Sequence, residues 1–172
     1  RGETPSGTQD PIGLTTHHLF EEEKDPIRTR CEELGLHNQT GARVKVVHIP
    51  TYLLPGDGLF DRHYEGALSG VDLGVFPSFY DPWGSAPQES LAMGVPAITT
   101  DFAGFARTAT DQGVGSDDGL FVLKRRDSNH ETVVDELAAL LRERTDRPVD
   151  DALRARARAA VECTAWSKQL GP

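Results

Sequence analysis

Only two cysteines, Cys31 and Cys163, occur in 172 residues, and their spacing suits neither a metal-ligand pair nor a disulfide framework. Both read as buried or half-buried free thiols of a reducing compartment, which makes the cytoplasm the default location. No apolar run approaches the roughly 18 residues that span a bilayer, and no leader pattern opens the chain. A basic block is missing too, and the net charge is −9. That argues against nucleic acid and an anionic membrane as main partners, because both need a surplus of Lys and Arg. The hydrophobic fraction is low, at 37%. The aliphatic residues nevertheless cluster into short runs, enough to close the core of one ordinary domain. Neither a GxGxxG turn nor a P-loop is present, which counts against a generic nucleotide-binding Rossmann domain.

What is present is alternation. Residues 1–13, rich in Gly, Pro, Ser and Thr, read as a flexible lead-in, and residues 14–172 as one domain. Pro26–Leu34 reads as a helix stopped by Gly35 in the left-handed conformation. Strands are expected at Val44–Ile49, Leu73–Pro77, Ala97–Thr100 and Gly119–Leu123. Helices are expected at Tyr64–Ser69 and Pro87–Met93. A further helix runs from an S-x-x-E capping box, Ser128 with Glu131, to about Arg144. It presents Val133, Val134, Leu137, Leu140 and Leu141 on one face. Pro148 breaks it, and a last helix covers Val149–Trp166 with Leu153, Ala157, Ala160 and Val161 inward. Pro55–Asp61 and Thr108–Asp118 read as loops. Short apolar strands alternating with helices imply an α/β fold, a Rossmann-like doubly wound parallel sheet. Its ligand crevice lies beyond the carboxyl ends of the strands.

One stretch carries chemistry: GVFPSFYDPWGSAPQESLAMGVPAITT, from Gly74 to Thr100. Asp81 stands on the loop after a strand and Glu89 in the first turn of the next helix. Gly84 permits a positive φ, and Pro87 suits a first-turn position. The helix would aim unpaired N–H groups and its dipole into the crevice, a suitable cradle for a diphosphate. Asp81 would face the reacting end of the ligand, and Glu89 would accept from ribose hydroxyls. By pattern alone the plainer alternative is the commoner one, carboxylates that merely complement a helix dipole.

The same stretch resembles the glycogen synthases of animals and fungi. That family has GVFPSYYEPWGYTPAE, then MG-(V/I)-PS-(V/I)-TT and SGFG, where this chain has GVFPSFYDPWGSAPQE, MGVPAITT and DFAGFA. Upstream, RVKVVHIP is similar to RVKVVFHP, and YEGALSGVDLGVFP to YEEFVRGCHLGVFP. THH with DPIRTRCEELGL is similar to THN with DPIL…VGL, and Trp166 falls at the tryptophan of LLDW. The resemblance runs from about Leu14 to Leu170. It implies the C-terminal half of a GT-B fold, whose N-terminal domain would lie outside this chain. It also implies retaining transfer of glucose from UDP-glucose to an α-1,4-glucan, with no metal or other cofactor. Residue by residue, Asp81 takes the place of a glutamate near the transferred sugar, and Glu89 that of one holding the donor ribose. Tyr64 matches a tyrosine stacked on uracil, and Gly84, Ser85 and Ala86 match backbone amides near the diphosphate. Trp83 either contacts the sugar or pins the loop, with pinning the favoured reading.

Departures from the family pattern set further expectations. Asp81 is one methylene shorter than glutamate, and a shift of about 1 Å at a reacting centre can cost roughly a hundredfold in rate. Ala86 replaces a capping threonine, for which Ser85 with Gln88 offers a substitute box. Arg147, Arg154, Arg156 and Arg158 stand among acids in place of a dense arginine cluster, so regulation by glucose-6-phosphate is not expected. The groups that hold phosphate in the family lie upstream of residue 1, so these residues alone are expected to be inactive. His17 and His18 would lie on a strand, facing opposite ways, while His48 and His63 read as structural or surface residues. Lys124, Arg125 and Arg126 follow a strand end, and a solvated loop suits them better than a phosphate site. The enzyme alternatives are a related retaining transferase using another nucleotide sugar or acceptor, and a catalytically impaired sugar-nucleotide-binding relative. Oligomeric state stays open, a homo-oligomer included.

Overall fold

The computed structural model of the protein describes residues 13–126 and 128–164, the side chain of Cys163 excepted. The lead-in expected over residues 1–13 falls almost wholly outside the described residues, as does Trp166. Two compact units divide the chain, Arg1–Tyr52 and Leu53–Pro172.

In the first unit a short 3₁₀ turn, Glu22–Lys24, leads into α1, Pro26–Glu33. Asp25 caps α1 by accepting from the Arg28 amide at 2.8 Å, and Pro26 fills the first helical position, where its missing N–H costs nothing. Gly35 follows with φ 70°, as expected. Cys31 is buried, again as expected. The strand expected at Val44–Ile49 does not form. His48 makes a single parallel bridge to Thr15, and the rest of the segment is irregular. The reason is local: the Asn38 side chain donates to the Val46 carbonyl at 2.6 Å and accepts from the Val46 amide at 2.8 Å. It thus takes both backbone groups that a neighbouring strand would pair. His17 and His18 are both exposed, the first on a bend and the second in irregular backbone, not on a strand.

The second unit holds α2 (Tyr64–Leu68), β1 (Gly74–Val75), α3 (Ser85–Ala92), β2 (Ala97–Thr100), α4 (Gly104–Asp111), β3 (Leu120–Leu123), α5 (His130–Thr145) and α6 (Asp151–Val161). The three strands form a parallel sheet in the order β1-β2-β3, with Gly74 opposite Ala97 and Ala97 opposite Leu120. Alternate residues face alternate cores. On one side Ala97 and Leu120 meet Leu91 of α3, Phe105 and Ala109 of α4, and Ala157 of α6. On the other, Ile98, Phe121 and Leu123 meet Val133 of α5, with Leu137 and Leu140 alongside. Helices therefore cover both faces, which is why the strands show no alternation of buried and exposed residues over β2 and little over β3. Each fully buried Leu or Phe contributes about 1.5–3 kcal/mol.

Several boundaries differ from the sequence reading. β1 is only two residues long, although the Phe76 amide still reaches the Ile98 carbonyl at 2.8 Å; Pro77, lacking an N–H, ends the ladder. The capping box at Ser128 is replaced by Asn129, whose side chain accepts from the Thr132 amide at 2.9 Å. Val134 and Leu141 are exposed, so the buried face of α5 is narrower than expected. Thr108–Asp118 is not simply a loop. Thr108–Asp111 closes α4, and Ser116–Asp118 forms a 3₁₀ turn. Threonines and a glycine give α4 weak intrinsic propensity, and burial of Phe105, Ala106 and Ala109 overrides it. Pro148 does separate α5 from α6, and α6 gives way to a 3₁₀ turn at Glu162–Thr164. Three arginines of α6 serve the fold. Arg154 pairs with Asp72 at 3.0 Å, Arg156 donates to the Asp117 carbonyl at 2.6 Å, and Arg158 to the Met93 carbonyl at 3.4 Å.

Candidate functional site

The carboxyl ends of β1 and β2 and the first turn of α3 enclose an open hollow of about 330 Å³, lined by Phe76, Ser78, Asp81, Gly84, Ala86 and Thr99 among others. Its shape begins with Gly84. That residue is the N-cap of α3, with φ 83° and no capping side chain. A β-carbon there would be strained by the left-handed backbone and would sit 3.2 Å from that of Ala103. The helix therefore starts at Ser85, two residues earlier than expected, and Pro87 occupies its third position. Proline is tolerated there because the first four amides of a helix have no intrahelical acceptor. Glu89 consequently lies past the first turn, where the sequence reading had put it within that turn, and its side chain is exposed. Among the described residues no protein group accepts from the amides of Ser85 and Ala86, and Ala86 borders the hollow.

Asp81 is half-buried. Its Oδ1 accepts from the Trp83 amide at 3.3 Å, folding the carboxylate back over its own turn, while the residue still lines the hollow. Trp83 is fixed rather than free to swing. Its Nε1 donates to Gln88 Oε1 at 2.8 Å, and its ring meets Phe105 edge-on, 6.1 Å between centroids at 67°. Gln88 in turn donates to Thr164 Oγ1 at 3.2 Å. The box expected between Ser85 and Gln88 is therefore absent, because the Gln88 amide is engaged elsewhere. The loop also rests on α4: the Gly104 amide donates to the Asp81 carbonyl at 3.2 Å and the Phe105 amide to the Trp83 carbonyl at 2.6 Å. Of the two helix starts, α4 spends its first amides on the loop, whereas those of α3, at the border of the hollow, have no protein acceptor among the described residues.

Tyr64 opens α2 and is 40% exposed. Burial raises its phenol above the ordinary value, and the charges of Glu89 and Glu65 push the same way. The charge of Glu89 is thus felt at Tyr64, 25 positions away in sequence. Sequence reading passed over Thr99, a wholly buried residue whose hydroxyl has no hydrogen-bond partner among the described residues and which borders the hollow. Next to Thr100 in a β-branched run it reads as one more strand-forming residue, and nothing local marks it out. It also passed over Phe79 and Tyr80, exposed beside the hollow on the same loop. A second hollow, about 340 Å³, opens beside Leu73 and Pro96 at the amino ends of the strands, the end opposite to where parallel sheets take ligands. His63 is exposed, as expected. Among the described residues no group of three His, Cys, Asp or Glu could hold a metal ion, and no helix is long and apolar enough to cross a membrane.

Comparison with known proteins points to one family. The family described as glycogen synthase matches residues 7–168. The glycogen [starch] synthase isoform 1 of Saccharomyces cerevisiae is 35% identical over 144 residues, 81% of this chain and 20% of that protein. The liver glycogen [starch] synthase of Mus musculus is 41% identical over 92 residues, 54% of this chain and 13% of that protein. The glycogen [starch] synthase of Neurospora crassa is 33% identical over 135 residues, 78% of this chain and 19% of that protein. The chain thus spans about a fifth or less of the length of these relatives.

Proposed function

The chain belongs to the glycogen synthase family, and on that premise we propose that it is the donor-binding part of a retaining glycosyltransferase. In this reading the whole protein has the two-domain GT-B architecture, works in the cytoplasm, and moves glucose from UDP-glucose to the end of an α-1,4-glucan. The observation that carries it is the start of α3, whose first amides open on the hollow at the strand ends beside Asp81. Unpaired amides and a helix dipole meet the negative charge of a diphosphate, and meet it more strongly as the sugar–oxygen bond breaks. No metal ion is called for in this scheme, since amide dipoles and cationic groups of the wider protein share that charge.

The side chains take complementary roles. Glu89, exposed and near enough for its charge to act on Tyr64, accepts from the ribose hydroxyls, and Tyr64 offers its ring to the base. Asp81 sits nearest the transferred sugar, where a carboxylate favours developing positive charge. Trp83, tied to Gln88, holds the loop in register. Transfer of glucose from labelled UDP-glucose by the whole protein, with product configuration read by NMR, tests the proposal. An α-configured product supports it, and a β-configured product or preference for an ADP- or GDP-sugar counts against it.

A second reading, a sugar-nucleotide-binding relative with impaired transfer, is favoured by one observation: the Asp81 carboxylate is turned back on the Trp83 amide. Asp81→Glu in the whole protein separates the two. A large gain in rate supports impairment, and a loss supports a site tuned to aspartate.

A further inference from the structure

Phe79 and Tyr80 are 75% and 71% exposed, on the loop between β1 and Asp81. They stand at the carboxyl edge of the sheet, where parallel sheets take ligands. Side-chain ties link the three strand ends in succession. Thr100 Oγ1 donates to the Ser78 carbonyl at 2.9 Å, joining the end of β2 to the loop after β1. Asp101 Oδ1 accepts from the amides of Arg125 and Arg126 at 2.9 and 3.1 Å, joining β2 to the turn after β3. The Arg125 guanidinium then lies over the Phe79 ring, 4.4 Å from its centroid, and closes the circuit back to the first loop. Beside it the Arg126 guanidinium faces the Phe102 ring at 5.7 Å. The edge is braced, and what it displays is an aromatic pair with a guanidinium fixed against one ring.

That combination has a preferred guest. The face of an aromatic ring is electron-rich and receives the C–H face of a pyranose, while a guanidinium presents a rigid fork of donors to neighbouring hydroxyls. A diphosphate gains little from aromatic faces and is served by the amides of α3. We propose that Phe79, Tyr80 and Arg125 hold the terminal glucose units of the acceptor glucan, with the ring of Phe79 as the stacking platform. This rests on the transfer reading above and adds to it the residues that meet the acceptor.

Phe79→Ala, Phe79→Trp and wild type, each as the whole protein, are compared in transfer kinetics and in direct titration with maltoheptaose. Truncation removes only the contact between Arg125 and a mostly exposed ring, so the thermal midpoint is expected to fall slightly at most. The expected result is an acceptor KM raised about tenfold by Phe79→Ala with the donor KM unchanged. Maltoheptaose binding should weaken in parallel, and Phe79→Trp should restore both to within about twofold. Three results overturn the assignment. One is a rise in donor KM instead of acceptor KM, which gives the residue to the nucleotide. Another is unchanged kinetics, whatever the thermal midpoint does, which leaves Phe79 a structural contact only. The third is maltoheptaose binding indifferent to residue 79. Should wild type transfer no glucose yet bind maltoheptaose in a Phe79-dependent way, the transfer reading fails and the platform stands.

Discussion

Gly104 and Pro82 approach so closely that a β-carbon on Gly104 would lie 2.1 Å from the Pro82 carbonyl oxygen. The contact is backbone against helix start, so neither side can yield by rotating a side chain. It seats the Asp81–Trp83 loop on α4, where two amides hold its carbonyls. Gly104→Ala is therefore expected to cost about 1–3 kcal/mol, the range of overpacking, and to weaken nucleotide binding because the loop must lift. Denaturant unfolding measures the first effect. Unaltered stability would mean that the loop and α4 are not in this contact.

The start of α5 supplies a second expectation. Asn129, not Ser128, accepts from the first-turn amide of Thr132. Asn129→Ala should lower stability by about 1 kcal/mol, and Ser128→Ala should change it by less than about 0.5 kcal/mol. Thermal melts of the two variants side by side decide which residue caps the helix, and the reverse ranking would restore the S-x-x-E box.

Tyr64 makes an electrostatic test possible. Its phenol is raised above 10.0 by burial first and by the charges of Glu89 and Glu65 second. Glu89→Gln removes one of those charges, so the ionisation should move down towards the ordinary value, as ultraviolet titration can follow. The sign for stability follows from linkage. The folded protein holds this proton more tightly than the unfolded chain, so the contribution is present below pH 10.0 and is lost as pH rises through the folded value. An unmoved titration in Glu89→Gln would separate the two side chains.

Asp81 has two separable duties. Its Oδ1 holds the Trp83 amide, which an asparagine oxygen can do equally well, whereas its charge serves the transferred sugar in the proposed mechanism. Asp81→Asn should leave the melting midpoint within about 2 °C of wild type, a change under roughly 1 kcal/mol, and slow transfer by about a hundredfold. Asp81→Ala should lose both. Equal rates in wild type and Asp81→Asn would remove the carboxylate from the chemistry.

The contrast between legible and illegible features has physical causes. β2 and β3 were readable nearly to the residue, because strands buried on both faces are short runs of apolar and β-branched residues without polar alternation. The hollow at their carboxyl ends was readable for the same reason, since the topology of a parallel sheet fixes where it opens. α4 was not readable: threonines and glycine favour a loop locally, and only the burial of Phe105 and Ala109 makes the segment a helix. Val44–Ile49 misled in the opposite direction, because β-branched residues signal a strand but cannot signal a partner, and Asn38 takes the partner's place. In the site, Gly84 and Pro87 announced a helix start. The offset of two residues came from Gly84 acting as the N-cap, and it moved Glu89 out of the first turn. The braced edge around Phe79 and Arg125 joins residues more than forty positions apart, and no local pattern carries that information.

The most direct test of the proposed donor site is calorimetric titration of the whole protein with UDP, comparing wild type with Glu89→Gln. If residue 89 accepts from the ribose while the amides of α3 hold the phosphates, removing the charge weakens binding by about ten- to a hundredfold, the worth of a hydrogen bond to a charged group. Equal affinity in the two proteins would contradict the account and send the search for the nucleotide away from α3.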